Sequence, residues 1–411
     1  MAKLAINGGE RTRTKPWPAW PVYDDNDRAA LLEVLESGNW GIGGAVGEAM
    51  LKEFAEFHDA KHAVAVTSGT TALETCLRAA QVGPGHEVIV PPYTFIATAN
   101  SALMVGAIPI FADIDPDTYN LDPAAAEAAI TERTKAIICV HIGGSPCNMD
   151  ALKALAEKHN LALIEDCAQA HGAEWRGTKV GAIGHLGAFS FQSSKNVTAG
   201  EGGVILTNDA ELYGRAWSIH NVGRAPDGGW YDHRILGANL RMTQFQAALI
   251  RCGLRRLPEL MDRRDECAFY LQSLLKGIPG VDYARMHDGA TRNAWHLFMG
   301  KYDAEAFGGL PREKFIAAVS AEGIPISRGY NPLYQEQLFR NGIRADECPL
   351  ACKFYTGAVD YTQVHCPVTE RVCASEGWWL FQSMLLGTKE DMDDVAAAIV
   401  KVRANLDELQ T

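Results

Sequence analysis

The stretch AIICVHIGGSPCNMDALKALAEKHNLALIED, residues 136–166, reads as strand, helix, strand. Residues 136–140 form an unbroken apolar run, residues 149–159 have the length of a helix, and residues 162–164 are apolar again. A strand that is apolar on both sides must be covered on both faces, and a crossover helix between two such strands makes them parallel. The second strand runs out on Glu165-Asp166, an acid pair at the end of a buried segment.

The alternation continues in both directions. Short apolar strands are expected at 62–66, 88–90, 109–111 and 203–207, with helices at 70–81 and 95–105. This order predicts an α/β fold whose large domain has a mainly parallel central sheet covered by helices. Ligands of such sheets sit beyond the carboxyl ends of the strands, so chemistry-bearing residues should follow strands. Upstream, residues 10–24 are rich in Pro and Trp and read as an extended arm. Residues 24–37 read as a helix with Leu31, Leu32, Val34 and Leu35 on its apolar face, and the Gly-rich 41–47 reads as a loop. A long helical pattern covers 242–275. Beyond Pro279 shorter strands (296–302) mix with helices (312–321 and 389–406). The expected organisation is an N-terminal arm 1–24, a large domain 25–278, and a smaller C-terminal α+β domain 279–411.

A chain of 411 residues can bury a large core. Its formal net charge of −12 argues against nucleic-acid and anionic-membrane partners. No apolar run reaches the length of a membrane span, and Met1 to Gly9 lacks a long apolar signal core, so a cytoplasmic protein is expected. The ten cysteines lie mostly in apolar runs and read as reduced, buried residues. The close pair Cys348 and Cys352 has the wrong spacing for a zinc knuckle, and no metal site is expected.

Five positions at or near strand ends can serve one chemistry. Lys195 lies between the apolar Phe189-Ser190-Phe191 and the Gly-rich Gly200-Glu201-Gly202-Gly203. A positioned amine forms an imine with a carbonyl, although a loop lysine also fits. Ser68-Gly69-Thr70 precedes a helix, where free N–H groups favour phosphate, and where a plain serine cap is equally natural. Asp166 ends a strand and can hold a ring nitrogen protonated, or cap a turn. Phe95, after Pro91-Pro92-Tyr93-Thr94, can stack on a flat heterocycle or pack in the core. Ser190, five residues before Lys195, offers another hydroxyl. Together these supply what pyridoxal 5′-phosphate requires.

The chain resembles the DegT/DnrJ/EryC1/StrS family of fold-type-I pyridoxal phosphate enzymes, the sugar and cyclitol aminotransferases. The matching stretches are Thr67-Ser68-Gly69-Thr70-Thr71-Ala72-Leu73, Pro91-Pro92-Tyr93-Thr94-Phe95, Glu165-Asp166-Cys167-Ala168-Gln169-Ala170-His171-Gly172, Ser190-Phe191-Gln192 through Lys195-Asn196, Gly200-Glu201-Gly202-Gly203, and Asn239-Leu240-Arg241-Met242-Thr243. The resemblance implies that Lys195 is the imine-forming lysine and acid–base, and Asp166 the ring-nitrogen partner. It places Ala168 under the ring, Gln169 at the ring hydroxyl, and Phe95 against the ring face. It assigns Gly69, Thr70 and Ser190 to the phosphate. Asn239 matches a residue that reaches the phosphate of the neighbouring subunit, which implies a homodimer with shared active sites. His296, Arg328 and Tyr330 fall where a second-domain wall would meet substrate.

Within the family, the Trp-Pro-rich start and Trp378-Trp379-Leu380-Phe381-Gln382 look most like the inosose aminotransferase and 3-amino-5-hydroxybenzoate synthase branch. The segment Val140-His141-Ile142-Gly143-Gly144-Ser145-Pro146 departs from the commoner family pattern. The implied reaction moves an amino group from glutamine or glutamate to a cyclic ketone, a keto-cyclitol or keto-sugar, in aminocyclitol, aminosugar or antibiotic biosynthesis. Open alternatives are dehydration or aromatisation of an amino-cyclitol, amination of a nucleotide-linked keto-sugar, and a non-catalytic cofactor-binding regulator. A dinucleotide-binding protein lacks support, because no G-x-G-x-x-G follows a strand.

Overall fold

Nine strands precede residue 210 in the computed structural model, which describes residues 3–340 and 354–409. They are β1 (His62–Val66), β2 (Glu87–Val90), β3 (Ile108–Phe111), β4 (Thr134–Val140), β5 (Ala162–Asp166), β6 (Glu174–Trp175), β7 (Thr178–Lys179), β8 (Leu186–Ser190) and β9 (Gly203–Thr207). Seven of them make the central sheet, in the order β1-β9-β8-β5-β4-β2-β3. Pairing is parallel from β3 through β8. Only β9 runs against its neighbours. The segment between β8 and β9 holds no helix, and without a crossover the chain must return antiparallel.

Period-two alternation divides the strand residues between two cores. Along β4, Ala136 and Ile138 enter one hydrophobic cluster while Ile137 and Cys139 enter the other. The first cluster is closed by the helices Gly69–Ala79, Ala97–Met104 and Ala210–His220, through residues such as Leu73, Ala102 and Ile219. The second is closed by Ala45–Phe57, Met149–His159 and the 32-residue helix Gln244–Leu275, through Phe54, Leu152 and Leu254.

Two local readings change. The Gly-rich 41–47, expected as a loop, contains the start of the helix Ala45–Phe57, with Gly44 as its N-cap and Met50 and Phe54 buried at i, i+4 spacing. In the helix Asp25–Ser37 only Val34 of the four expected apolar-face residues is buried, while Leu32 and Leu35 are 54% and 51% exposed. Its inner face is fixed instead by Asp27, which takes two hydrogen bonds from Arg256.

A second antiparallel sheet, β10 (Val281–Tyr283), β12 (Leu297–Tyr302) and β13 (Gly377–Phe381), packs with the helices Arg312–Ala321 and Lys389–Ala404; β11 (Ala290–Arg292) pairs with β6. The N-terminal residues dock on this second unit. Leu4 is fully buried in its core, Trp17 packs against it, and Arg13 Nη1 donates to Asp391 and Asp394 at 2.6 and 2.8 Å. Conversely Leu333, Tyr334, Phe339, Tyr361 and Cys366 follow Pro279 in sequence but join the core of the large sheet. The eight described cysteines are buried and unpaired, and Cys348 and Cys352 lie outside the described residues. Among the described residues no helix is long and apolar enough to cross a membrane.

Candidate active site

The ends of β1, β4, β5 and β8 and the segment after β2 open onto one cavity of about 620 Å³. Eleven of the residues singled out in the sequence line it: Ser68, Gly69, Thr70, Phe95, Asp166, Ala168, Gln169, Ser190, Lys195, His296 and Tyr330. Asn239 and Arg328 do not.

One end of the cavity is the start of the helix Gly69–Ala79. Ser68 is indeed its cap: Oγ accepts from the Thr71 N–H at 3.2 Å, and Thr71 Oγ1 accepts from the Ser68 N–H at 3.0 Å. Gly69 and Thr70 line the cavity at this helix start, where first-turn N–H groups lack intrahelical partners and the helix dipole favours an anion. Gly69 is required by space. A Cβ there would stand 2.6 Å from the Cβ of Ser190 at the end of β8.

Asp166, the last residue of β5, is buried. Oδ2 accepts from Thr98 Oγ1 at 2.9 Å and Oδ1 from the Ala168 N–H at 3.1 Å. Burial raises its pKa, against the lowering effects of those two donors and of Lys195. Burial also lowers the pKa of Lys195, with Asp166 opposing. Among the described residues no hydrogen bond or ion pair engages the Lys195 amine. Its backbone is held by a turn: the Lys195 N–H donates to Gln192 O at 2.9 Å, and the buried Phe191 ties the segment's base to Gly202 and Ala199.

Glu165, the other acid of the pair, points to the opposite face. Its oxygens take N–H groups from Gly181, Ile183 and Gly184 at 2.8–2.9 Å and face His141 Nε2 at 3.1 Å. His141, Glu165 and Cys167 stand close enough to share an ion, yet these hydrogen bonds already engage the carboxylate. His171 is buried against Phe189 and Phe191 and does not line the cavity.

The opposite wall comes from the second unit. Tyr330 accepts from Gln169 Nε2 at 3.0 Å, while Gln169 Oε1 takes the Gly143 N–H at 2.7 Å. Arg328, expected on this wall, is exposed on another side, near Glu313 and Cys373. Gly329, with φ +88°, breaks the extended alternation that would have put residues 328 and 330 on one side. Asn239 is exposed and pairs through its backbone with Asn221. Residues missed in the sequence include Thr98, Trp20, Trp379 and Gln382. Trp20, Trp379 and Gln382 stand in stretches that carry the family resemblance, but nothing local marks them as cavity residues.

These groups fit pyridoxal 5′-phosphate. Among the described residues Asp166 is a buried carboxylate without a paired cation, and a protonated ring nitrogen would supply one. Gly69, Thr70 and Ser190 would hold the phosphate, the half-exposed Phe95 would cover the ring, and Lys195 would take the aldehyde. With this α/β architecture, the site defines a fold-type-I pyridoxal phosphate enzyme. Residues 21–374 match the DegT/DnrJ/EryC1/StrS aminotransferase family, and the chain belongs to that family as a pyridoxal phosphate-dependent aminotransferase.

The chain is 40% identical over 419 residues to a putative L-glutamine:3-amino-2,3-dideoxy-scyllo-inosose aminotransferase of Micromonospora echinospora, covering 99% of each chain. It is 39% identical over 428 residues to the L-glutamine:2-deoxy-scyllo-inosose aminotransferase of Streptoalloteichus tenebrarius, again covering 99% of each. The crystal structure of 3-amino-5-hydroxybenzoic acid synthase superposes with a TM-score of 0.85 at 36% identity, over 95% of this chain and 100% of that one.

Two predictions follow from this geometry. Gly69→Ala drives a methyl into Ser190 and should weaken pyridoxal phosphate binding by about tenfold, roughly 1.4 kcal/mol. Fluorescence titration of the cofactor-free protein measures this, and an unchanged affinity would remove Gly69 from the phosphate cradle. Asp166→Asn should raise the melting temperature of cofactor-free protein at pH 8. The raised pKa of Asp166 means that the wild type gains stability as protons bind, so the difference should shrink towards about pH 4. A difference that grows on acidification would contradict the assigned shift.

Proposed function

We propose that this aminotransferase moves the amino group of L-glutamine, or of glutamate, to a keto-cyclitol in aminocyclitol antibiotic biosynthesis. End-to-end similarity to relatives whose names specify a glutamine donor and an inosose acceptor carries this reading. The cofactor, when bound, supplies an aldehyde that carries nitrogen between substrates and a ring that disperses negative charge. The protein supplies the rest. Asp166 would hold its charge against the ring nitrogen. Lys195 Nζ, its proton affinity lowered by burial, removes the α-proton of the amino donor and later delivers a proton to the acceptor carbon. Phe95 and the Tyr330–Gln169 pair limit water at the site. A cytoplasmic location fits the substrates.

Dehydration or aromatisation of an amino-cyclitol would use the same lysine, and product analysis separates the two. Enzyme loaded with pyridoxal phosphate should release the 2-oxo acid of glutamine without any ketone present. The aminated form should then convert 2-deoxy-scyllo-inosose to its amine. Lys195→Ala should lose the lysine-linked cofactor chromophore and lower turnover by at least about a thousandfold. Retention of either would end the assignment.

The reading includes a homodimer with shared sites. Leu32, Leu35, Trp40 and Leu236 expose large apolar surface, and Asn239, which lies outside its own chain's cavity, would reach the partner's phosphate group. Light scattering should give twice the mass of 44.7 kDa, and a monomer mass at working concentration would refute it.

A further inference from the structure

His296 and Gln382 stand side by side at the ends of neighbouring strands. β12 and β13 pair Leu297 with Phe381, and the Gln382 N–H donates to His296 O at 3.1 Å. Both side chains line the cavity, and both residues are less than a tenth exposed. Donor and acceptor rules fix what each presents there.

Asn196 Nδ2 donates to the carbonyl of Ala294 at 2.6 Å. A carbonyl only accepts, so the amide orientation of Asn196 is set and its Oδ1 is an acceptor. That oxygen lies 3.1 Å from His296 Nδ1, which must therefore carry the hydrogen. In the neutral ring Nε2 is then a bare lone pair. Burial and the positive charges of Lys195 and Arg264 keep the ring neutral. Gln382 is set the opposite way. The fully buried guanidinium of Arg264 donates from Nη2 to Gln382 Oε1 at 2.5 Å. A guanidinium only donates, so the Gln382 amide must turn its oxygen there and leave its Nε2 hydrogens without a protein partner among the described residues.

We propose that His296 and Gln382 are a matched acceptor–donor pair that binds two neighbouring hydroxyls of the acceptor ketone's ring. One hydroxyl donates to His296 Nε2, and the next accepts from Gln382 Nε2. A lone pair beside an N–H suits hydroxyls, which both donate and accept. It does not suit the carboxylate of the amino donor, whose oxygens would face the histidine lone pair. The pair therefore distinguishes a polyhydroxylated ketone from a plain one. Asn196 and Arg264 act as positioning residues. This assignment rests on the keto-cyclitol reading.

The test uses holoenzyme loaded with pyridoxamine phosphate, with single-turnover rates on 2-deoxy-scyllo-inosose and on cyclohexanone. The ratio of the two rates is the readout, because a merely structural defect lowers both together. His296→Asn keeps a donor to Asn196 and deletes the Nε2 acceptor. Gln382→Met deletes the amide at similar length. Each should lower the cyclitol-to-cyclohexanone ratio by at least about tenfold, and His296→Gln should recover part of the loss. Cofactor uptake by each variant verifies the fold. A wild-type ratio preserved in His296→Asn and Gln382→Met overturns the pair while leaving the keto-cyclitol reading intact. A wild-type enzyme that ignores 2-deoxy-scyllo-inosose but aminates another ketone overturns both.

Discussion

A carboxylate at the end of a buried parallel strand is expensive to keep ionised, and Asp166 is such a group. Two hydrogen bonds, from Thr98 and Ala168, and the field of Lys195 only partly offset its burial. The site thus holds a buried acid that a protonated heterocycle would neutralise, and the surrounding architecture keeps that acid in place. Glu165 faces away from the cavity and takes three backbone N–H groups of the segment leading to β8. The same strand end therefore positions Asp166 at the cavity on one side and the path to Ser190 and Lys195 on the other.

The lysine depends on topology more than on its own neighbours. Because β9 returns antiparallel beside β8, the segment between them must turn at the carboxyl edge of the sheet, beside the end of β5. Phe191 anchors the base of that turn, and Lys195 rides at its crest. Its amine is held near the acid without being paired to it, which leaves it available as a base. The glycine at 69 completes the edge by allowing the helix start to approach β8.

The far wall belongs to a different sheet. Tyr330, His296 and Gln382 come from the second antiparallel unit, and each is oriented by a partner elsewhere: Gln169, Asn196 and Arg264. Residues of two structural units thereby meet at one cavity. N-terminal residues docked on the second unit, and Leu333, Tyr334, Phe339, Tyr361 and Cys366 docked on the first, tie the two together across the chain.

The sequence by itself determined the parallel sheet, because period and crossover length are local properties: an apolar run such as 136–140 followed by a helix and a second run admits little else. It also determined which residue types stand at strand ends, and hence Asp166, Lys195 and the Ser68-Gly69-Thr70 helix start. What it could not determine was direction. The inner face of the helix Asp25–Ser37 is decided by Asp27 and Arg256, which lie over two hundred residues apart. Arg328 lies off its own chain's cavity because the left-handed Gly329 breaks the alternation that would put it beside Tyr330. The orientation of Gln382 is set by a guanidinium over a hundred residues upstream. Side-chain orientation is set by partners distant in sequence, and only the tertiary structure names those partners.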